Sequence, residues 1–95
     1  MDTAKVITKE CDAIKEMLLD KNRKYGDSAI HPLRIFSDCD SIEQINVRID
    51  DKLSRISRGC REGDSEDSEF DLIGYLVLKR VAKIITGFKK QELIF

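Results

Sequence analysis

The stretch Ser41-Ile42-Glu43-Gln44-Ile45-Asn46-Val47-Arg48-Ile49-Asp50-Asp51-Lys52-Leu53-Ser54-Arg55-Ile56 decides the fold. At about 100° per residue, Ile42, Ile45, Ile49, Leu53 and Ile56 fall inside an arc of roughly 80°, the apolar stripe of a helix packed on one side. Ser41 and Gln44 match a capping box, in which the hydroxyl and the amide each meet an orphan backbone donor. Gly59 marks the end. Arg48, Lys52 and Arg55 occupy a separate arc of roughly 60° that borders the apolar one.

The flanking segments read the same way. From about Thr3 to Asn22, Ile7, Cys11, Ile14 and Leu18 recur at helical spacing beside Val6 and Met17, with Thr3 as the expected cap. From about Ser68 to Thr86, before Gly87, the residues Phe70, Ile73, Val77, Val81, Ile84 and Phe88 make one face, and Leu72 and Leu76 another. A helix apolar on nearly all sides is buried on nearly all sides. Two partner helices in a 95-residue chain hardly provide that, and Leu93-Ile94-Phe95 adds an apolar end that a lone chain would struggle to hide. The expectation is an all-α single domain over 1–95: three principal helices and a short helical turn, assembled as a homo-oligomer. That turn, around Pro32, is expected to tuck Ile30, Leu33, Ile35 and Phe36 into the core.

Composition sets limits. With 18 acidic and 17 basic residues, the net charge of −1 recruits neither DNA nor an anionic membrane. No apolar run approaches the roughly 18 residues of a membrane span. Residues 1–9 are amphipathic and lack a signal peptide's apolar stretch. Cys11, Cys39 and Cys60 are odd in number and widely spaced, which reads as three small buried or half-buried thiols in a reducing compartment, the cytoplasm. Classical nucleophile–base catalysis would rest on the single His31, and there is no P-loop or dinucleotide fingerprint.

Three constellations carry possible chemistry. Lys21-Asn22-Arg23-Lys24-Tyr25-Gly26-Asp27-Ser28 gathers basic side chains, an aromatic ring and a glycine turn. A helix start near Ser28 would offer free N–H groups to a phosphate, with Lys21 and Lys24 neutralising it and Tyr25 stacking on a base. The alternative is a basic helix end and a turn, with Tyr25 in the core. In the stripe of Arg48, Lys52 and Arg55, cations cluster, and clustered cations repel unless an anion sits among them. The alternative is surface pairing, with Asp51 meeting Arg48 and Arg55. At the start of the third helix, Asp67, Asp71 and Tyr75 share a face at i, i+4, i+8, and two carboxylates one turn apart suit Mg2+. The alternative is acids that favour the positive end of a helix dipole.

Together, Lys21-Asn22-x-x-Tyr25-Gly26-Asp27-Ser28, Arg48-Ile49-x-Asp51-Lys52-x-x-Arg55-Ile56 and Asp71-Leu72-Ile73-Gly74-Tyr75-Leu76 resemble the small phage and bacterial proteins called nucleotide modification associated domain 1. That family is itself similar to the MazG-like all-α nucleotide pyrophosphatases. The resemblance runs from about Lys21 to Leu78. It implies an all-α, phage-type protein that handles nucleotides as a homo-oligomer, with Lys21, Tyr25, Arg48, Asp51, Lys52, Arg55 and Asp71 as site residues.

One departure matters. The MazG-like hydrolases share a Glu-Glu-x-x-Glu helix and a Glu-x-x-Asp helix that hold Mg2+, and this chain has Arg48-Ile49-Asp50-Asp51-Lys52 instead. A site rich in Lys and Arg neutralises phosphates without metal. The expectation is therefore binding over hydrolysis: capture of a nucleotide through Lys21, Lys24, Tyr25, Arg48, Lys52, Arg55 and Tyr75, with no cofactor required. One candidate for the captured species is a cyclic nucleotide or oligonucleotide signal of host anti-phage defence, held in the host cytoplasm. An enzyme would be a Mg2+-dependent nucleoside triphosphate pyrophosphatase, with Asp51 and Asp71 catalytic and Asp51, Asp67 and Asp71 as metal ligands. A helical adaptor with no nucleotide affinity is a third reading.

Overall fold

The computed structural model describes residues 2–32, 35–36, 38–59 and 67–87. Among them the chain is all-α: α1 spans Thr3–Tyr25, α2 Ser41–Ser57 and α3 Ser68–Ile85. No strand occurs among the described residues.

Each helix begins at an aspartate. Asp2 accepts from the Ala4 N–H, Asp40 from the Glu43 N–H at 2.8 Å, and Asp67 from the Phe70 N–H at 2.9 Å. A carboxylate both satisfies an orphan donor and meets the positive end of the dipole. The caps expected at Thr3 and Ser41 therefore each move one residue toward the N-terminus. Ser41 lies in the first turn of α2, buried, and the Gln44 amide donates to the Cys39 carbonyl rather than to the cap. α1 also runs a turn beyond Asn22, because Arg23 and Lys24 pair with Asp20 on its surface and leave the helix intact to Gly26.

The core lies chiefly between α2 and α3. Ile30, Ile45 and Ala82 are buried, and Ile42, Ile49, Tyr75, Leu78 and Val81 pack around them. α1 joins α3 more lightly, around Gly74 and the buried Ile14. Ile30 arrives by a tight turn in which the Ile30 and His31 N–H groups both donate to the Asp27 carbonyl, at 2.9 and 2.7 Å. Of the other residues expected in the core there, Ile35 and Phe36 are 71% and 99% exposed, and Leu33 lies outside the described residues. Hydrophobicity alone did not bury them, because a single turn after Gly26 places only one side chain against α2 and α3.

The apolar stripes are covered unevenly. Leu53 and Ile56 at the end of α2 are exposed, as are Val6 and Ile7 on α1. On α3, Ile73, Leu76, Val77, Ile84 and Ile85 are exposed too. Phe88 and the segment Leu93-Ile94-Phe95 lie outside the described residues. Cys11 and Cys39 are exposed rather than buried, and Cys60 is not among the described residues. No described helix is long and apolar enough to cross a membrane.

Candidate functional site

The site is built on the end of α1. Gly26 takes φ 62° and ψ −151°, a region that side chains essentially forbid. Turned so that its nitrogen faces the turn, the orientation that satisfies both of its ends, the Asn22 amide would donate to the Gly26 carbonyl at 3.1 Å and to Asp27 Oδ1 at 2.9 Å. Asn22, Gly26 and Asp27 thus form one structural unit, a stapled reversal of the chain. It leaves Ser28 and Ala29 beside the last turns of α1.

Each helix offers one face to the space next to that turn. α1 supplies Leu18, Lys21, Asn22 and Tyr25, at i, i+3, i+4 and i+7. α2 supplies Gln44, Ile45 and Arg48, and α3 supplies Tyr75 and Leu78. They enclose a pocket of about 400 Å3. That lies within the roughly 300–1,000 Å3 usual for small-molecule sites.

The charge is one-sided. Lys21 and Arg48 approach from two helices, and among the described residues that line the pocket none is Asp or Glu. Leu18, Ile45 and Leu78 give an apolar floor, and two phenols stand beside it. Tyr25 is 67% exposed, so its ring is available at the rim and is not part of the core. This arrangement suits an anion that carries a flat ring: cations for the charge, tyrosine faces for stacking.

The other expected site residues lie elsewhere. Lys24 pairs with Asp20 at 3.3 Å and does not line the pocket. Arg55 donates to Asp51 at 3.2 Å, one turn away on the surface of α2. Lys52 is buried, and its ammonium meets Asp71 Oδ2 at 3.2 Å across the α2–α3 interface. The three cations that share a stripe in sequence therefore have three different fates. Arg48 faces the pocket, Lys52 ties α2 to α3, and Arg55 pairs within its own helix. No helix starts at Ser28; those residues form the turn, so free N–H groups of a helix end are absent there.

The acids do not converge on the pocket. Asp51 and Asp71 hold the partners just named, and Asp67 caps α3. Among the described residues, no group of three Asp, Glu, His or Cys side chains is placed to hold a metal ion. His31 is exposed and does not line the pocket.

Sequence reasoning placed Asn22 and Ser28 in the first constellation without giving their side chains a place in the pocket, and read Gln44 only as part of a capping box. The available signal was spacing: Asn22 stands four residues before Gly26 and five before Asp27, the reach of a side-chain amide over a helix end. Gln44 stands one turn before Arg48. No protein-family model, curated protein or solved structure matches the chain.

Proposed function

We propose that this protein captures a phosphate-bearing nucleotide and releases it unchanged. The observation that carries the reading is the pocket in which Lys21, Arg48, Tyr25 and Tyr75 converge from three helices, with no carboxylate among the described residues that line it. Phosphate oxygens would meet the Lys21 ammonium and the Arg48 guanidinium, whose planar fork matches two oxygens at once. The base would lie against a tyrosine face, with Leu18 and Leu78 beneath it.

Hydrolysis of a phosphoanhydride would ask for acids, to hold Mg2+ against the phosphates and to orient water. In this chain Asp51 and Asp71 hold basic partners outside the pocket, and Asp67 holds a backbone N–H. That distribution supports capture over turnover. In a phage-encoded protein of the host cytoplasm, capture is itself a function: a homo-oligomer that soaks up a cyclic nucleotide or oligonucleotide would silence a defence signal without destroying it.

The test is incubation of the purified protein with nucleoside triphosphates and cyclic di- and trinucleotides, with and without Mg2+, followed by chromatography of the free pool before and after heat denaturation. Ligand that leaves the pool and returns intact supports capture. Conversion to a new species overturns it in favour of a pyrophosphatase with Asp51 and Asp71. An unchanged pool overturns it in favour of a protein-binding adaptor.

A further inference from the structure

A second recess lies between α1 and α3 and adjoins the cationic pocket, sharing Leu18, Asn22 and Leu78 with it. It measures about 500 Å3 and is lined largely by aliphatic side chains, among them Leu19, Ile73, Val77 and Ile85. These four are 47%, 40%, 39% and 55% exposed. Ile7, 58% exposed, continues the stripe of α1 two turns before Ile14, which lines the recess. The α1 stripe thus runs from a bare ridge at Ile7 into a groove shared with α3.

We infer that the occupant of this groove is a second copy of the same chain, two-fold related, with the Ile7 end of each α1 laid into the α1–α3 groove of the other. The homo-oligomer belongs to the nucleotide reading above, but its placement on this face rests on separate residues.

Three observations favour a copy over another partner. Ridge and groove lie in tandem on one helix, and a two-fold axis across the middle of that helix brings each onto the other, which makes the face self-complementary. The area is also right. A dimer of standard size buries about 800 Å2 per chain, about 65% of it apolar in homodimers. At about 120 Å2 for a fully exposed aliphatic side chain, the area implied by about 3 kcal/mol at about 25 cal/mol per Å2, the five side chains above present on the order of 300 Å2, over half of that apolar share. Finally, the single chain has only Ile14, Ile30, Ile45 and Ala82 as buried apolar residues among those described, and none of the large ones is completely enclosed. So small a core needs its cover whenever the chain folds, and a second copy is present at every synthesis.

Light scattering coupled to size exclusion, over a wide range of concentration, tests the inference on the intact protein. Wild type should be dimeric, and Ile7→Lys and Val77→Asp should each shift it to monomer while far-UV circular dichroism keeps its helical form. A wild type that is monomeric throughout, or an oligomer unmoved by both folded variants, overturns the inference. If the variants unfold, alkylation of wild type decides. Cys11 lines the groove and Cys39 does not. Both are exposed on the single chain. In the concentrated protein Cys11 should react at least about fivefold more slowly than Cys39, with the difference vanishing on dilution; equal rates at high concentration overturn the inference. Equilibrium dialysis of a nucleotide on the same samples separates the two readings. A dimer without nucleotide affinity fails the pocket alone, and a monomer that binds nucleotide fails this face alone.

Discussion

Lys52 Nζ lies 3.2 Å from Asp71 Oδ2, joining α2 to α3 with side chains only 11% and 26% exposed. Arg48 stands one turn before Lys52, and Tyr75 one turn after Asp71. The pair therefore sets the register of the two helix faces that meet at the pocket. A lysine largely withdrawn from water is stabilised by a carboxylate at this distance and is costly without it.

Asp71→Asn should accordingly cost about 2 kcal/mol, below the range for fully buried pairs because water still reaches the carboxylate. Lys52→Met should cost less, since Asp71 is the more exposed partner and regains water while the methionine stem fills the lysine's path. A double-mutant cycle in urea measures the coupling, which should lie near 1 kcal/mol. Additive losses would show that the pair contributes no coupling.

Arg48→Ala and Lys21→Ala should each weaken nucleotide binding by about tenfold or more, the loss of one or two charge-assisted hydrogen bonds. Neither side chain belongs to the core, so melting temperatures should hold to within a few degrees. Arg48→Lys should recover only part of the affinity, because a point charge replaces a planar fork. Lys24→Ala, paired with Asp20 outside the pocket lining, serves as the control and should bind as wild type. Isothermal titration with one nucleotide gives all four values.

The three helices were legible because periodicity reports which side of a helix is apolar, and Ile42, Ile45 and Ile49 obey it. Periodicity does not report how much partner surface exists to cover that side. Ile73, Val77 and Ile84 read as core from their spacing and stand exposed on the single chain, while Ala82, fully buried, carried no such signal. The site was half legible for a related reason. Lys21, Tyr25, Arg48 and Tyr75 do meet in one pocket. Spacing along α2 could not tell Arg48 from Lys52 and Arg55, because whether a cation meets a pocket, a buried acid or its own helix depends on what α3 brings opposite.

Gly74 tests the light packing of α1 on α3. A Cβ built there comes within 2.9 Å of Met17 Cε and 3.4 Å of Leu18 Cδ2. The methionine terminus is flexible and moves at little cost, while alanine in a helix interior gains up to about 1 kcal/mol over glycine. Gly74→Ala should thus be neutral or slightly stabilising. Gly74→Val cannot be absorbed by the Met17 terminus alone and should push α1 off α3, at about 1–3 kcal/mol. Thermal melts of the two variants check the contrast; equal effects would mean that the α1–α3 approach is looser than these distances require.

Asp67 separates a cap from a metal ligand. Its Oδ1 accepts from the Phe70 N–H at 2.9 Å at the start of α3. Asparagine caps nearly as well as aspartate, so Asp67→Asn should lose only a few tenths of a kcal/mol, mostly from the dipole, while Asp67→Ala should lose about 1 kcal/mol. A Mg2+ site would order the variants differently. Magnesium prefers charged oxygen ligands, so Asp67→Asn would then abolish any Mg2+-dependent rise in melting temperature as completely as Asp67→Ala. With Asp67 committed to the backbone and Asp71 to Lys52, millimolar Mg2+ should leave the melting temperature of wild type and both variants unchanged. A rise seen in wild type and lost in both Asp67→Asn and Asp71→Asn would instead place a metal at the head of α3, and with it the hydrolytic chemistry that the pocket's own residues do not supply.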